Sequence, residues 1–347
     1  MSASDSWVVV LAGGVGSRFW PLSTPESPKQ LLPLVSDRPL LVDTADRLRP
    51  IAPPSRTLIL TNASLVKPIA ALLPEVPRQN IVAEPKPSGT GAALAWAAQL
   101  IADRAGDAAV MISVHADWAV GDDEGFRAAL RMAASAAATH RSLVTVGVVP
   151  SRPDPGFGYI QPNGELEPGV RRVARFVEKP DRVRAEAMCA EGFLWNSGIF
   201  VWRVGDFLAE VQSHAPELAP ALRSHRGDIA AFFGAVRPIS VDVAVLERSS
   251  RVLVIAGDFG WDDVGTWGAL RRVRHRDAGG NATSGTVHTL AATDNVVHAE
   301  EGTVVLYGVS NLVVVVRDGL VLVTTVERSS DLKSLVDALP PGVRGQS

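Results

Sequence analysis

Short runs of apolar, mostly β-branched residues recur along the first 150 positions. Val8–Leu11, Thr57–Thr61, Asn80–Val82, Val110–Val114 and Leu143–Val149 read as strands, and the Ala-rich stretches 91–104 and 126–139 read as helices. Runs apolar at nearly every position, rather than at alternate ones, belong to strands covered on both faces, and their alternation with helices predicts an α/β sheet. From about residue 157 the strands shorten. Gly158–Gln161, Val173–Glu178 and Phe193–Trp202 are expected to build onto the same sheet, with helices at 181–190 and 204–212. Beyond about 280 the helical spacing disappears, and residues 284–326 become Val/Leu-rich segments broken by Gly, Asn and Asp, such as 295–298, 302–306, 311–316 and 319–323. These read as rungs of a small β-helix-like cap or as an ordinary β-meander, closed by a helix over 331–339.

The composition narrows the class. In 347 residues with a formal net charge of -3 there is no overall basic field, so nucleic acid is not an expected partner. Cys189 is the single cysteine, which excludes an intrachain disulfide and a zinc site built from several thiolates, and favours a reducing compartment. No basic n-region precedes the first apolar run, and no run approaches the roughly 20 residues of a membrane helix. A cytoplasmic protein without a membrane partner is the expectation.

Ligands of open α/β sheets collect at the carboxyl ends of strands. The first strand leads there into Leu11-Ala12-Gly13-Gly14-Val15-Gly16-Ser17-Arg18, followed by Pro28-Lys29-Gln30. Glycines let backbone N–H groups approach phosphate oxygens, and Arg18 and Lys29 add a forked and a point-like positive charge. The dinucleotide fingerprint fails because Phe19 stands where a small residue is needed, and the ATPase loop fails for want of Gly-Lys-Ser/Thr. Three glycines alone are as well explained by an ordinary strand-to-helix turn.

With its Phe-Trp-Pro-Leu-Ser and Pro-Lys-Gln, this segment resembles the signature of the sugar-nucleotide pyrophosphorylases, in particular the mannose-1-phosphate guanylyltransferase branch. Further blocks follow in the family's order. Glu84-Pro85 and residues 86–91 occupy the place of its base-recognition segment, although this chain has Pro-Ser-Gly-Thr-Gly-Ala where the pattern usually reads Arg-Asn-Thr-Ala-Pro-Ala. His115-Ala116-Asp117-Trp118 stands for the usual Pro-Ala-Asp-His, retaining only the alanine and the aspartate. Gly158-Tyr159-Ile160, Phe176-Val177-Glu178-Lys179-Pro180, Trp195-Asn196-Ser197-Gly198, Ser240-Val241-Asp242 through Glu247, and Gly260-Trp261-Asp262-Asp263-Val264-Gly265 complete the set.

The resemblance implies a Rossmann-like nucleotidyltransferase domain over 1–280, its nucleotide half at about 1–150 and its sugar-phosphate half at about 151–280, with a β-rich domain over 281–347. It implies transfer of GMP from GTP to mannose 1-phosphate, with Mg2+ on Asp117 and Asp263. The nucleotide would be held by Leu11, Ala12, Gly13, Gly14, Gly16, Ser17, Arg18, Lys29, Glu84, Thr90 and Asp117. The sugar phosphate would be held by Gly158, Tyr159, Glu178, Lys179, Asn196 and Gly198, and the catalytic set would be Arg18, Lys29, Asp117, Lys179 and Asp263. On position alone, Asp117 reads rather as a helix cap or turn residue and Asp263 as the cap of a helix beginning near Gly265, Glu178–Lys179 as a solvated surface pair, while Tyr159 could equally be core. The alternatives left open are a different nucleotide or hexose 1-phosphate, and a non-catalytic protein that binds a sugar nucleotide. Asp242, His115 and Trp118 have no assigned role. Because the sequence runs only to 347, no fused isomerase domain is expected, and a homodimer through the β-rich edges is the oligomeric expectation.

Overall fold

The computed structural model describes residues 6–14, 17–340 and 342–344. The expected phosphate contact at Gly16 and the side chain of Ser17 lie outside the described residues. Contacts along the chain group into two compact units, one comprising residues up to Gly13, Ala45–His115 and Asp122–Phe259, the other Gly14–Thr44, Ala116–Gly121 and the chain from Gly260 onward.

The first unit is built on a nine-stranded mixed sheet. Its strands are β1 (Ser6–Leu11), β2 (Thr57–Asn62), β3 (Ile81–Glu84), β4 (Val110–His115), β5 (Leu143–Val148), β6 (Tyr159–Glu167), β7 (Val170–Val177), β8 (Leu194–Arg203) and β9 (Val252–Gly257), in the order β3-β2-β1-β4-β8-β5-β9-β7-β6. β3, β2, β1 and β4 run parallel, which the helical crossovers between them require, whereas β8 enters antiparallel between β4 and β5. All six residues of β1 and of β5 are buried, as the unbroken apolar runs predict. Helix Gly89–Ala105 packs with Trp7, Val9, Leu11 and Met111 in one core, while Val110 and Ile112 share a cavity with Leu130 and Ala134 of helix Asp123–His140. Alternate residues of the same strand thus meet different helices, and the sheet is covered on both faces. Strand β9 and the short helices Ala219–Ser224 and Ile229–Ala235 went unassigned in the sequence reading, the helices because two turns carry too little periodicity to register.

The second unit carries a four-stranded sheet of β10 (Ala282–Leu290), β11 (Val296–Tyr307), β12 (Leu312–Arg317) and β13 (Leu320–Thr325). β10, β11 and β12 are parallel, as stacked rungs are, and β13 closes antiparallel. The rungs expected separately near 295–298 and 302–306 are one strand, whose register against β10 shifts between Ser284 and Thr286. Two buried asparagines tie the rungs: the Asn281 side-chain oxygen accepts from Asn295 N and Nδ2, and the Asn295 side-chain oxygen accepts from Leu312 N at 2.9 Å. Together they satisfy backbone and side-chain donors that burial would otherwise leave costly.

A compact-unit boundary does not fall at residue 280. Phe19, Trp20, Leu22, Leu32 and Leu34 pack into one apolar cluster with Val264, Trp267, Val296, Val313 and Val315, so burial of these side chains joins segment 14–44 to the β-rich unit. Polar contacts reinforce it: Trp267 Nε1 donates to the Trp20 carbonyl at 3.1 Å, Arg317 to that of Leu22 at 2.7 Å and Arg274 to that of Leu34 at 2.5 Å.

His298 sits in this core beside Trp267, with Arg274 Nη2 3.1 Å from its Nδ1 and Glu300 and Arg317 nearby. Burial, helped by Arg274 and Arg317, pushes its imidazole down to about 4. The unfolded chain therefore binds the proton more readily, so stability is fully present above about pH 6.5 and is lost as pH falls toward 4. The loss amounts to about 3 kcal/mol at most. Thermal melts from pH 7.5 to 4.5 should show a fall in wild-type stability that His298→Gln reduces; parallel curves would assign the acid sensitivity elsewhere.

Candidate active site

In the second unit a two-stranded contact brings the acidic loci together. Ala119 N donates to the Asp262 carbonyl at 2.9 Å, Asp262 N donates back to Ala119 at 3.1 Å, and Gly121 N donates to the Gly260 carbonyl. Asp117 and Asp263 thereby flank one short antiparallel bridge. The ring of Trp118 meets that of Trp261 edge-on, with centroids 5.9 Å apart, and both rings are buried. Residues remote in sequence are thus fixed by backbone pairing and an aromatic contact.

Lys29 completes this group. Its Nζ lies 3.1 Å from Asp117 Oδ2 and 2.6 Å from the Asp263 carbonyl oxygen, and only 7% of its side chain is exposed. An ammonium so buried needs these acceptors, because desolvation without them is costly. The neighbouring Gln30 is also buried, and its Nε2 donates to the Gly14 carbonyl at 2.9 Å, bracing the glycine turn. Pro-Lys-Gln therefore supplies one charge and one brace. Gly14 and Arg18 are exposed.

The helix-cap role that position alone allows Asp117 belongs to a neighbouring residue. Asp122 caps helix Asp123–His140 by accepting from Glu124 and Gly125 N–H groups. Asp262 accepts from Val264 N and from Arg272 through both carboxylate oxygens, at 2.6 and 3.0 Å. Asp262 is thus a structural residue. Val264 is held at φ 47°, a strained value for a β-branched side chain, directly after Asp263. A Cβ on Gly265 would lie 2.6 Å from Asp263 Oδ2. Sequence reading passed over Gln30, Trp118 and Gly265; the glycine in the family motif was the available signal for the last.

In the first unit, Leu11, Asn62, Glu84 and His115 stand at the carboxyl ends of parallel strands. Ala12 is buried and anchored, its N–H donating to the Leu60 carbonyl and its oxygen accepting from Thr61 Oγ1. The next residue, Gly13, is exposed, and a Cβ there would lie 3.6 Å from Glu84 Oε1. Burial pushes the Glu84 carboxyl up to about 7. Thr90 is engaged elsewhere: its Oγ1 accepts from Val241 N at 3.0 Å.

A second polar group gathers around Gly158, where a Cβ would lie 2.8 Å from Glu178 Oε2 and 3.4 Å from Asn196 Cβ. Asn196 N donates to the Gly158 carbonyl, its Nδ2 donates to Asp242 Oδ1 at 2.7 Å, and its Oδ1 accepts from Gly198 N. Lys179, at φ 40°, pairs with Glu178 at 2.5 Å on an exposed rim. Burial raises the Asp242 carboxyl, Asn196 opposes this, and Glu178 adds to it. The Tyr159 side chain is fully buried, and its hydroxyl pairs with the backbone of Asp154.

Residues 7–279 match the family model described as nucleotidyl transferase. The chain is 36% identical to the mannose-1-phosphate guanylyltransferase of Escherichia coli (strain K12), over 98% of this chain and 74% of that protein. The chain belongs to the nucleotidyl transferase family, in its mannose-1-phosphate guanylyltransferase branch. A relative of the same name from Sinorhizobium fredii (strain NBRC 101917 / NGR234) is 32% identical over 95% of this chain and 67% of that protein. Among solved structures, one from Thermus thermophilus, described as a mannose-1-phosphate geranyltransferase, superposes with a TM-score of 0.89 at 32% identity, covering 96% of this chain and 98% of that one. The likeness to that structure therefore takes in the β-rich residues, which lie beyond the part matched by the family model. No helix among the described residues is long and apolar enough to cross a membrane.

Gly265→Ala tests the packing beside Asp263, because the backbone tolerates alanine there while the carboxylate must move. Turnover should fall at least tenfold, with the melting temperature nearly unchanged. Wild-type turnover would show that the Asp263 carboxylate is not constrained by this glycine.

Proposed function

We propose that the protein transfers GMP from GTP to mannose 1-phosphate, yielding GDP-mannose and pyrophosphate. The observation that carries this is Lys29, buried between Asp117 and the Asp263 carbonyl in a chain that matches guanylyltransferases over nearly its whole length. The sugar-phosphate oxygen is already ionised at neutral pH, so attack on the α-phosphorus needs no nucleophilic side chain and no dedicated general base. What the protein must supply is alignment and neutralisation of charge. Arg18 and Lys29 serve the departing β- and γ-phosphates, and the N–H of the exposed Gly14 serves the same oxygens. Lys179 takes the phosphate of the incoming hexose, while Glu178 and Asn196 take its hydroxyls. The Asn196 amide is orientated by Asp242 and Gly198, which leaves one N–H and one lone pair for substrate.

Asp117 and Asp263 are the residues that would hold Mg2+, whose chemistry is to offset negative charge at the α-phosphate. Their all-oxygen donor set suits a hard cation. Mg2+ typically takes one or two carboxylates and completes its shell with phosphate oxygens and water. Asp263→Asn should abolish turnover and leave the thermal melt in place.

Specificity is tested by Mg2+-dependent pyrophosphate release with GTP, ATP, UTP and dTTP, each against mannose 1-phosphate and glucose 1-phosphate. Release confined to GTP with mannose 1-phosphate is expected. Another active pair would replace the specificity, and silence across all pairs would favour a binding-only protein.

Glu84 is assigned to the base. Its carboxylate accepts from the adjacent N1–H and N2–H of guanine only when ionised. With a value of about 7, ionisation rises with pH, so KM for GTP should be roughly tenfold higher at pH 6 than at pH 8. In Glu84→Gln that pH dependence should vanish; its persistence would place the titrating group elsewhere.

A further inference from the structure

The segment after Glu84 departs from the family pattern at Gly89 and Gly91, and the structure gives both glycines a physical task. Gly91 N donates to the Ile239 carbonyl at 3.0 Å, Ile239 N donates to the Ser88 carbonyl at 3.1 Å, and Val241 N donates to Thr90 Oγ1 at 3.0 Å. A Cβ at position 89 would come within 2.4 Å of the Ile239 oxygen, and one at position 91 within 2.9 Å. Gly89 also stands at φ 78°, in the left-handed region. The start of helix Gly89–Ala105 and the chain around Ile239 are thereby latched backbone to backbone, with one hydroxyl between them.

The latch leads directly to the polar group around Gly158. Val241 is followed by Asp242, whose Oδ1 accepts from Asn196 Nδ2 at 2.7 Å, and Asn196 N holds the Gly158 carbonyl at 2.8 Å. Asp242 opens a single π-helical turn, Asp242–Leu246, a local geometry frequent at functional positions. Removing the Thr90 acceptor would free the Val241 N–H, and with it the placement of the next carboxylate.

We propose that Thr90 is a positioning residue for the hexose 1-phosphate, acting through Val241, Asp242 and Asn196, rather than a nucleotide contact. This rests on the assignment of Asn196 to the sugar given above. It deepens that assignment by making the base-recognition segment and the sugar group mechanically continuous.

Thr90→Val removes the acceptor while keeping the side-chain shape, and Thr90→Ser retains it. In steady-state kinetics with mannose 1-phosphate and GTP, Thr90→Val should raise KM for the sugar phosphate about tenfold and change KM for GTP less than twofold, with Thr90→Ser close to wild type. A rise in KM for GTP alone, or no change in either, overturns the proposal. Hydrogen exchange resolved by peptide reads the latch without substrate: Thr90→Val should exchange faster over 239–246 and 194–198. Unaltered exchange there overturns the latch whatever the enzyme turns over, whereas faster exchange in a protein whose wild type is silent with every substrate pair keeps the latch and overturns the functional reading.

Discussion

A buried ammonium is among the more demanding groups a fold can hold, and much of the second unit is arranged to hold one. Lys29 is withdrawn from water and satisfied by a carboxylate from one distant segment and a carbonyl from another. For both acceptors to be in place, 117–121 and 260–263 must pair, Trp118 and Trp261 must meet, and 14–44 must lie down beside them. The apolar cluster of Phe19, Trp20, Leu22, Trp267 and Val313 supplies the driving force for that last condition. Charge placement and hydrophobic burial are one problem here, solved by the same residues.

The parts of the fold that were legible in the sequence are those with a strong local pattern. Unbroken apolar runs identified β1, β2, β4 and β5, and two Ala-rich stretches identified the long helices within two or three residues of their ends. The β-rich region was legible as rungs, but the continuity of β11 was not, because a register shift leaves the alternation interrupted. The grouping of residues 14–44 with the β-rich unit was not legible, for a different reason. Spatial clustering of Phe19 with Trp267 and Val315 depends on pairing across the whole length of the chain, and no local window contains it.

For the site, motif spacing singled out Lys29, Asp117, Asp263, Glu178 and Asn196, and within each unit these do converge on polar partners. Sequence could not separate Asp262 from Asp263 by chemistry, since both are aspartates. The structure shows Asp262 paired with Arg272 through both carboxylate oxygens. Tyr159 stands inside a matching motif, and its side chain turns into the core. The atypical residues were the least legible, yet Trp118, Gly89 and Gly91 all acquire reasons once their neighbours are known.

The membership of residues 14–44 in the β-rich unit also bears on how the chain reaches its native state. As the polypeptide is synthesised, the glycine turn and Lys29 emerge early, but the side chains that bury Phe19, Trp20 and Leu34 emerge only with 264–267, 296 and 313–322. Until then a strongly apolar segment has none of these partners, and contacts of such sequence separation close slowly. Nascent chains arrested before residue 313 should therefore present a segment that chaperones recognise, and the segment carrying Lys29 would be among the last parts of the molecule to acquire its native packing.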